Sequence, residues 1–164
     1  MTALWAVGRN PVLWAGLLAM VVAQGLKPVF LAWRGQGWQW RAWFAPGGMP
    51  SSHAALVAAA AHTVGLQQGF DSPLFGLAVV LAMIVVYDAT GVRRAAGEHA
   101  ARINRMLDEW QHGVWDGPAL REVLGHTPWE VMGGLALGLL VAQTLAWWAA
   151  RSGIMLYLGH GFPG

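Results

Sequence analysis

"PVLWAGLLAMVVAQGLKPVFLAW", residues 11–33, decides the fold: it is a long apolar run whose only charge is Lys27. Coiled as a helix, it is long enough to cross roughly 30 Å of hydrocarbon. The rest of the chain has the same character. Hydrophobic residues make up 56% of the 164 and charged residues 11%, and the mean hydropathy is +0.44. A soluble domain carries about 25% charged residues, so this composition belongs in a bilayer. Eleven tryptophans fit a chain with two membrane–water interfaces, where indole rings settle among the headgroups.

Working outward, three more apolar segments appear. "HAALVAAAAHTVGLQQG" (53–69) starts behind a Pro-Ser-Ser step, with Pro50 expected in the first helical turn and a neighbouring serine as its cap. "PLFGLAVVLAMIVVYDATG" (73–91) follows the turn "FDSP". "PWEVMGGLALGLLVAQTLAWWAA" (128–150) has Thr127 as its expected N-cap and Pro128 as its first helical residue. In it Gly134 and Gly138 form a G-x-x-x-G step that admits a second backbone. The charged stretch from Arg93 to about Glu122 reads as an amphipathic surface helix through Trp110 and then a loop. The expected fold is an all-α membrane bundle of about four transmembrane helices plus an amphipathic cytoplasmic helix, forming one domain over 1–164. The N-terminal helix reads as retained rather than as a cleaved signal, and the last dozen residues are too few for another span.

No cysteine is present, which excludes disulfides and thiolate metal sites. A net charge of +2, despite a pI near 9.7, gives no footing for nucleic acid. The arginines are unevenly placed: Arg34, Arg41, Arg93, Arg94, Arg102, Arg105 and Arg121 lie in the connectors after the first and third spans, with Lys27 close by. Arg9 and Arg151 lie on the other side, so the positive-inside rule puts those connectors in the cytoplasm and both termini outside.

Three polar motifs then share that cytoplasmic face: "GMPSSH" (48–53), "YDATGVRRAAGEHA" (87–100) and "LGHTPWEV" (124–131). Two of them start helices, whose free N–H groups and partial positive charge favour a bound anion. Guanidiniums from Arg93, Arg94, Arg121 and Arg34 or Arg41, with Lys27, suit phosphate. His126 and Glu130 are one helical turn apart, so the carboxylate can orient the imidazole for nucleophilic attack. His53 is placed to protonate a leaving alkoxide. Bland alternatives stand beside each element: a plain helix cap, a local His–Glu hydrogen bond, an arginine pair flanking a membrane helix. His62, mid-helix, suits a hydrogen bond inside the bundle, and His112 and His160 read as solvated.

These residues resemble the type 2 phosphatidic acid phosphatase superfamily, which includes the vanadium haloperoxidases and is marked by K-x6-R-P, P-S-G-H and S-R-x5-H-x3-D. Here stand Lys27 and Arg34 at K-x6-R spacing, Pro50-Ser51-Ser52-His53, and His126-x3-Glu130. "GGMPSSH", "YDATGVRRAAGE" and "LGHTPWEV" are more closely similar to the superfamily's divergent branch of small membrane proteins. The resemblance covers roughly residues 20–140 and implies a metal-independent phosphatase of lipid phosphates. It makes His126 the nucleophile, Glu130 its orienter and His53 the general acid. Lys27, Arg34, Ser51, Ser52, Arg93, Arg94 and Arg121 would bind phosphate, with Asp88, Gly48, Gly125 and Thr127 in support.

The pattern is not complete. Arg34 lacks the following proline, the superfamily aspartate is Glu130, and its arginine would fall at Leu120, one place before Arg121. Asp88 has two readings: a partner for one of the arginines or, with Glu98, a ligand for a divalent cation such as Mg. No cofactor is otherwise expected. The implied substrate is phosphatidylglycerophosphate at the cytoplasmic face of a bacterial membrane, with undecaprenyl pyrophosphate and phosphatidic acid as alternatives. A non-catalytic anionic-lipid binder, a structural subunit docking through the Trp-rich connector, and a homodimer completing the pocket are the remaining readings.

Overall fold

The computed structural model describes residues 7–44, 47–111, 117–122 and 124–153; the expectations for His112, His160 and the final segment lie outside them. The described residues form helices and connectors. α1 spans Pro11–Trp33, followed by a 3-10 turn at Trp40–Trp43; α2 spans Ser52–Gln68, α3 Pro73–Thr90, α4 Val92–Gln111 and α5 Pro128–Ser152.

Local chemistry sets most of these boundaries. The Asn10 side chain accepts from the amides of Val12 and Leu13 at the start of α1. Ser72 accepts from Phe75, and Thr127 and Glu130 form a reciprocal capping box at α5. Such caps contribute about 1 kcal/mol each. At α2 the expectation needs correcting. Ser51 is the cap, accepting from the amide of Ala54, so Pro50 falls before the helix rather than in its first turn.

Among the described residues three helical stretches are long and apolar enough to cross a membrane: Pro11–Trp33, Pro73–Glu109 (interrupted at Gly91, where α3 hands over to α4) and Pro128–Ser152. The fourth expected span, α2, has 17 residues, and about 25 Å of helix falls short of a full hydrocarbon core. It is instead the centre of the bundle, packed against α1, α3 and α5. α2 is buried along most of its length by small residues, among them Ala54, Ala55, Ala58, Ala59 and Gly65.

The core is made of alanines: Ala15, Ala19 and Ala23 of α1, Ala55 and Ala59 of α2 and Ala142 of α5. Large side chains point outward, including Leu77 and Tyr87 on α3 and Leu140 on α5. This inversion suits lipid, where association rests on close backbone packing rather than on removing apolar surface from water. Gly134 and Gly138 bring α5 close to α2, set against the carbonyl oxygens of Ser51 and Ala55. His62 bonds Gln143 at 2.9 Å, an α2–α5 link that lies at the exposed edge of this seam rather than inside the bundle.

α4 packs on α3 and, among the described helices, on no other. Its exposed apolar residues Val92, Ile103 and Met106 share one side of the helix, and Arg94, Glu98, Arg102 and Arg105 share another. That is the amphipathic surface helix read from the sequence, one residue longer at each end.

Candidate active site

The Ser51 amide donates to the Glu130 carbonyl at 2.9 Å, locking the amino ends of α2 and α5 together. The carboxyl-terminal parts of α1 and α3 reach the same end of the bundle. At that end lies a cavity of about 1040 Å³, lined by residues of α1, α2, α3 and α4 and of the segments that precede α2 and α5. Two helix N-termini therefore point their partial positive charge at one space.

His126 is the best-held side chain there. Its amide donates to the Ala89 carbonyl at 3.0 Å, which fixes the backbone against the end of α3. Its Nδ1 meets Glu130 Oε2 at 3.1 Å, and the same oxygen accepts from the Thr127 amide at 3.1 Å. A carboxylate can only accept, so Nδ1 carries a proton, and in the neutral ring the lone pair is then on Nε2. The residue is 8% exposed and lines the cavity. The same four-residue step that caps α5 thus also sets the imidazole tautomer.

His53, in the first turn of α2, also lines the cavity and lies within electrostatic reach of Arg93, His126, Lys27 and Asp88. Lys27 is 4% exposed and presents its charge from α1. Arg93 and Arg121 complete the basic set, three cations against one lining carboxylate, Asp88. Asp88 is itself bonded to Arg93 Nε, so it serves as an arginine partner. Ser52 lines the wall, and Gly48, at φ 82°, turns the chain beside the Lys27 stem.

Other expected phosphate contacts lie elsewhere. The Ser51 hydroxyl is occupied as the α2 cap and does not line the cavity. Arg34 ends α1 outside the lining, although its charge reaches Glu130. Arg94 pairs with Glu98 at 3.2 Å on the outer face of α4, and Arg41 lies over the Trp40 ring. Among the described residues no three His, Asp or Glu side chains cluster to hold a metal ion, and Asp88 and Glu98 each have an arginine partner.

The apolar part of the lining was not legible in the motifs. Met20 and Val21 of α1, Ile84 and Val85 of α3, and Trp43 and Phe44 of the first connector make most of the cavity apolar. Gln24 Nε2 donates to the Trp43 carbonyl and secures that connector to α1. A polar glutamine one turn before a lone lysine was the available signal. α1 and α3, which carry much of that apolar lining, do not pack against each other.

An all-helical membrane bundle with a mostly apolar cavity at one end that also holds three cations is the class of protein these features define. The sequence profile of the Divergent PAP2 family matches residues 8–141, and the chain belongs to that family. It is also 36% identical over 145 residues to the uncharacterized membrane protein YuiD of Bacillus subtilis (strain 168), covering 81% of this chain and 92% of that protein. No solved structure matches the chain. The protein is an integral membrane protein.

Proposed function

We propose that the cavity hydrolyses a phosphomonoester or diphosphate carried by a membrane lipid, with His126 as the nucleophile. The observation that carries this reading is the His126–Glu130 pair, set beside a cavity lined by three cations and by apolar side chains. His126 Nε2 would attack phosphorus while the bond to the leaving oxygen breaks, and His53 would donate a proton to that oxygen. Water, deprotonated by His53, would then attack the phosphohistidine, releasing phosphate and returning Nε2 to its starting state. Lys27, Arg93 and Arg121 stabilise the equatorial oxygens in both steps. The apolar lining takes the first part of the lipid chain. In this reading the arginine-rich end faces the cytoplasm, which favours phosphatidylglycerophosphate over undecaprenyl pyrophosphate and phosphatidic acid.

The test is phosphate release by the purified protein in detergent from those three lipids, with and without EDTA. Release that EDTA spares, fastest with phosphatidylglycerophosphate, is the expected result. Loss of turnover with EDTA would replace the metal-free mechanism with one that needs a divalent cation. No release from any lipid, with vanadate still bound, would leave an anionic-lipid binder and sink the enzymatic reading.

Glu130→Gln separates orientation from binding. The charge behind the imidazole is lost while the amide can still accept from Thr127. Turnover should fall by about 10²–10⁴-fold, with vanadate affinity changed by less than about threefold, equivalent to under ~0.7 kcal/mol. An equal loss in both quantities would mean that Glu130 acts through the fold alone.

A further inference from the structure

Residues 117–122 and 124–126 form no helix, yet they deliver Arg121, Leu124 and His126 to the cavity. Such a segment has no backbone ladder of its own, so its position depends on partners supplied from outside. Asn104, midway along α4, supplies three of them. Its Nδ2 donates to the Leu120 carbonyl and to Glu122 Oε1, each at 2.9 Å, and its Oδ1 accepts from the Leu120 amide at 2.9 Å. One side chain thus pairs with both backbone groups of a single residue, fixing the segment in place and in direction.

The remaining contacts continue toward the amino end of α4. Gly97, two turns before Asn104 on the same face, lies so close to the Glu122 carbonyl that a Cβ there would collide with it. Gly125 lies against Arg94, where a Cβ would come within 2.6 Å of the Arg94 amide and Cα. The His126 amide then bonds Ala89 at the end of α3. Four fixes in register, Asn104–Leu120, Gly97–Glu122, Arg94–Gly125 and Ala89–His126, lay an antiparallel strap along α4 that ends on the imidazole.

We infer that Asn104 is a positioning residue for the reaction: it anchors the far end of the strap and so aims His126 into the cavity. This rests on the reading of His126 as nucleophile. Asn104 touches no reacting atom, and its effect passes through the strap backbone. A displacement on the order of 1 Å at a reacting group costs about 10²-fold in rate, so a looser strap should reduce kcat more than substrate binding.

The test compares wild type with Asn104→Ala, Asn104→Asp and the pair Asn104→Asp/Glu122→Gln, in two measurements. Turnover should fall by about ten- to a hundredfold in Asn104→Ala, with KM within about twofold of wild type. Asn104→Asp keeps the acceptor for the Leu120 amide but sets a carboxylate against Glu122, and should be as slow. Adding Glu122→Gln provides a donor to that carboxylate and should restore part of the rate, which a general packing defect would not allow. Independently of activity, hydrogen exchange at the Leu120 and His126 amides should accelerate in Asn104→Ala and slow again in the paired variant. Wild-type exchange at both amides in Asn104→Ala would overturn the inference, as would an unchanged kcat. A wild type that releases no phosphate, with both amides exposed by Asn104→Ala, would support the anchoring and remove only the phosphatase reading.

Discussion

His126→Ala is expected to release phosphate at least about 10³-fold more slowly than wild type, since no other group replaces a missing nucleophile. The substitution is a clean probe because of how this residue is held. Its backbone bond to Ala89 is untouched by removal of the ring, so the strap keeps its last fix. The Thr127–Glu130 capping box survives as well, because both partners remain. Lys27, Arg93 and Arg121 still line the cavity, so inorganic phosphate should bind within a few-fold of its wild-type affinity, whereas vanadate, which the Nε2 lone pair would coordinate, should bind more weakly. Residual turnover above about a tenth of wild type would remove His126 from the nucleophile's role and return attention to His53.

The second large effect concerns the α2–α5 seam. A Cβ on Gly134 would collide with the Ser51 carbonyl and come within 2.9 Å of the Ala54 methyl. On Gly138 it would meet the Ala55 carbonyl and the Ala58 methyl in the same way. Backbone cannot give way as a flexible side chain can, so Gly134→Ala/Gly138→Ala must push the helices apart. Overpacking of this kind costs roughly 1–3 kcal/mol per site, which lowers the thermal midpoint in detergent by roughly 5–20 °C for the pair. Gly76→Ala, where a Cβ meets nothing within 4 Å, is the control and should be neutral or slightly stabilising. The effect also reaches the site. Separation of α2 from α5 strains the Ser51–Glu130 backbone bond and draws His53 away from His126. Equal midpoints for the double variant and the control would mean that the seam is looser than its glycines indicate.

The parts of the site set by short-range chemistry were legible in the chain. His126 and Glu130 are four residues apart on a helix whose cap residue is Thr127, so their pairing follows from helical geometry. The starts of α3 and α5 follow from Ser72-Pro73 and Thr127-Pro128 for the same reason. At α2 two serines competed for the cap, and which one serves depends on Ser51 also reaching the Glu130 carbonyl on α5. A contact between helices decided what the local pattern left open.

The choice among the arginines shows the limit more sharply. Arg93 and Arg94 are adjacent, but successive residues on a helix point about 100° apart. Arg93 turns to Asp88 and the cavity, and Arg94 turns outward to Glu98. No feature of the motif distinguishes them until α4 is placed against α3. Asn104 carries no such signal in the chain, because its partner Leu120 is 16 positions away and outside its helix.

What the sequence determined by itself is therefore the membrane class, the helices that carry it and the His126–Glu130 pair, all set by composition, hydropathy and contacts within one turn. Tertiary structure alone decided that the shortest apolar helix is the buried centre, that Lys27, Arg93 and Arg121 are the cations lining the cavity, and that apolar side chains of α1, α3 and the first connector line it with them. The reason is physical: in a bundle packed through alanine and glycine backbones, the partners of a site are chosen by how closely the helices approach, and that distance is a property of pairs of segments.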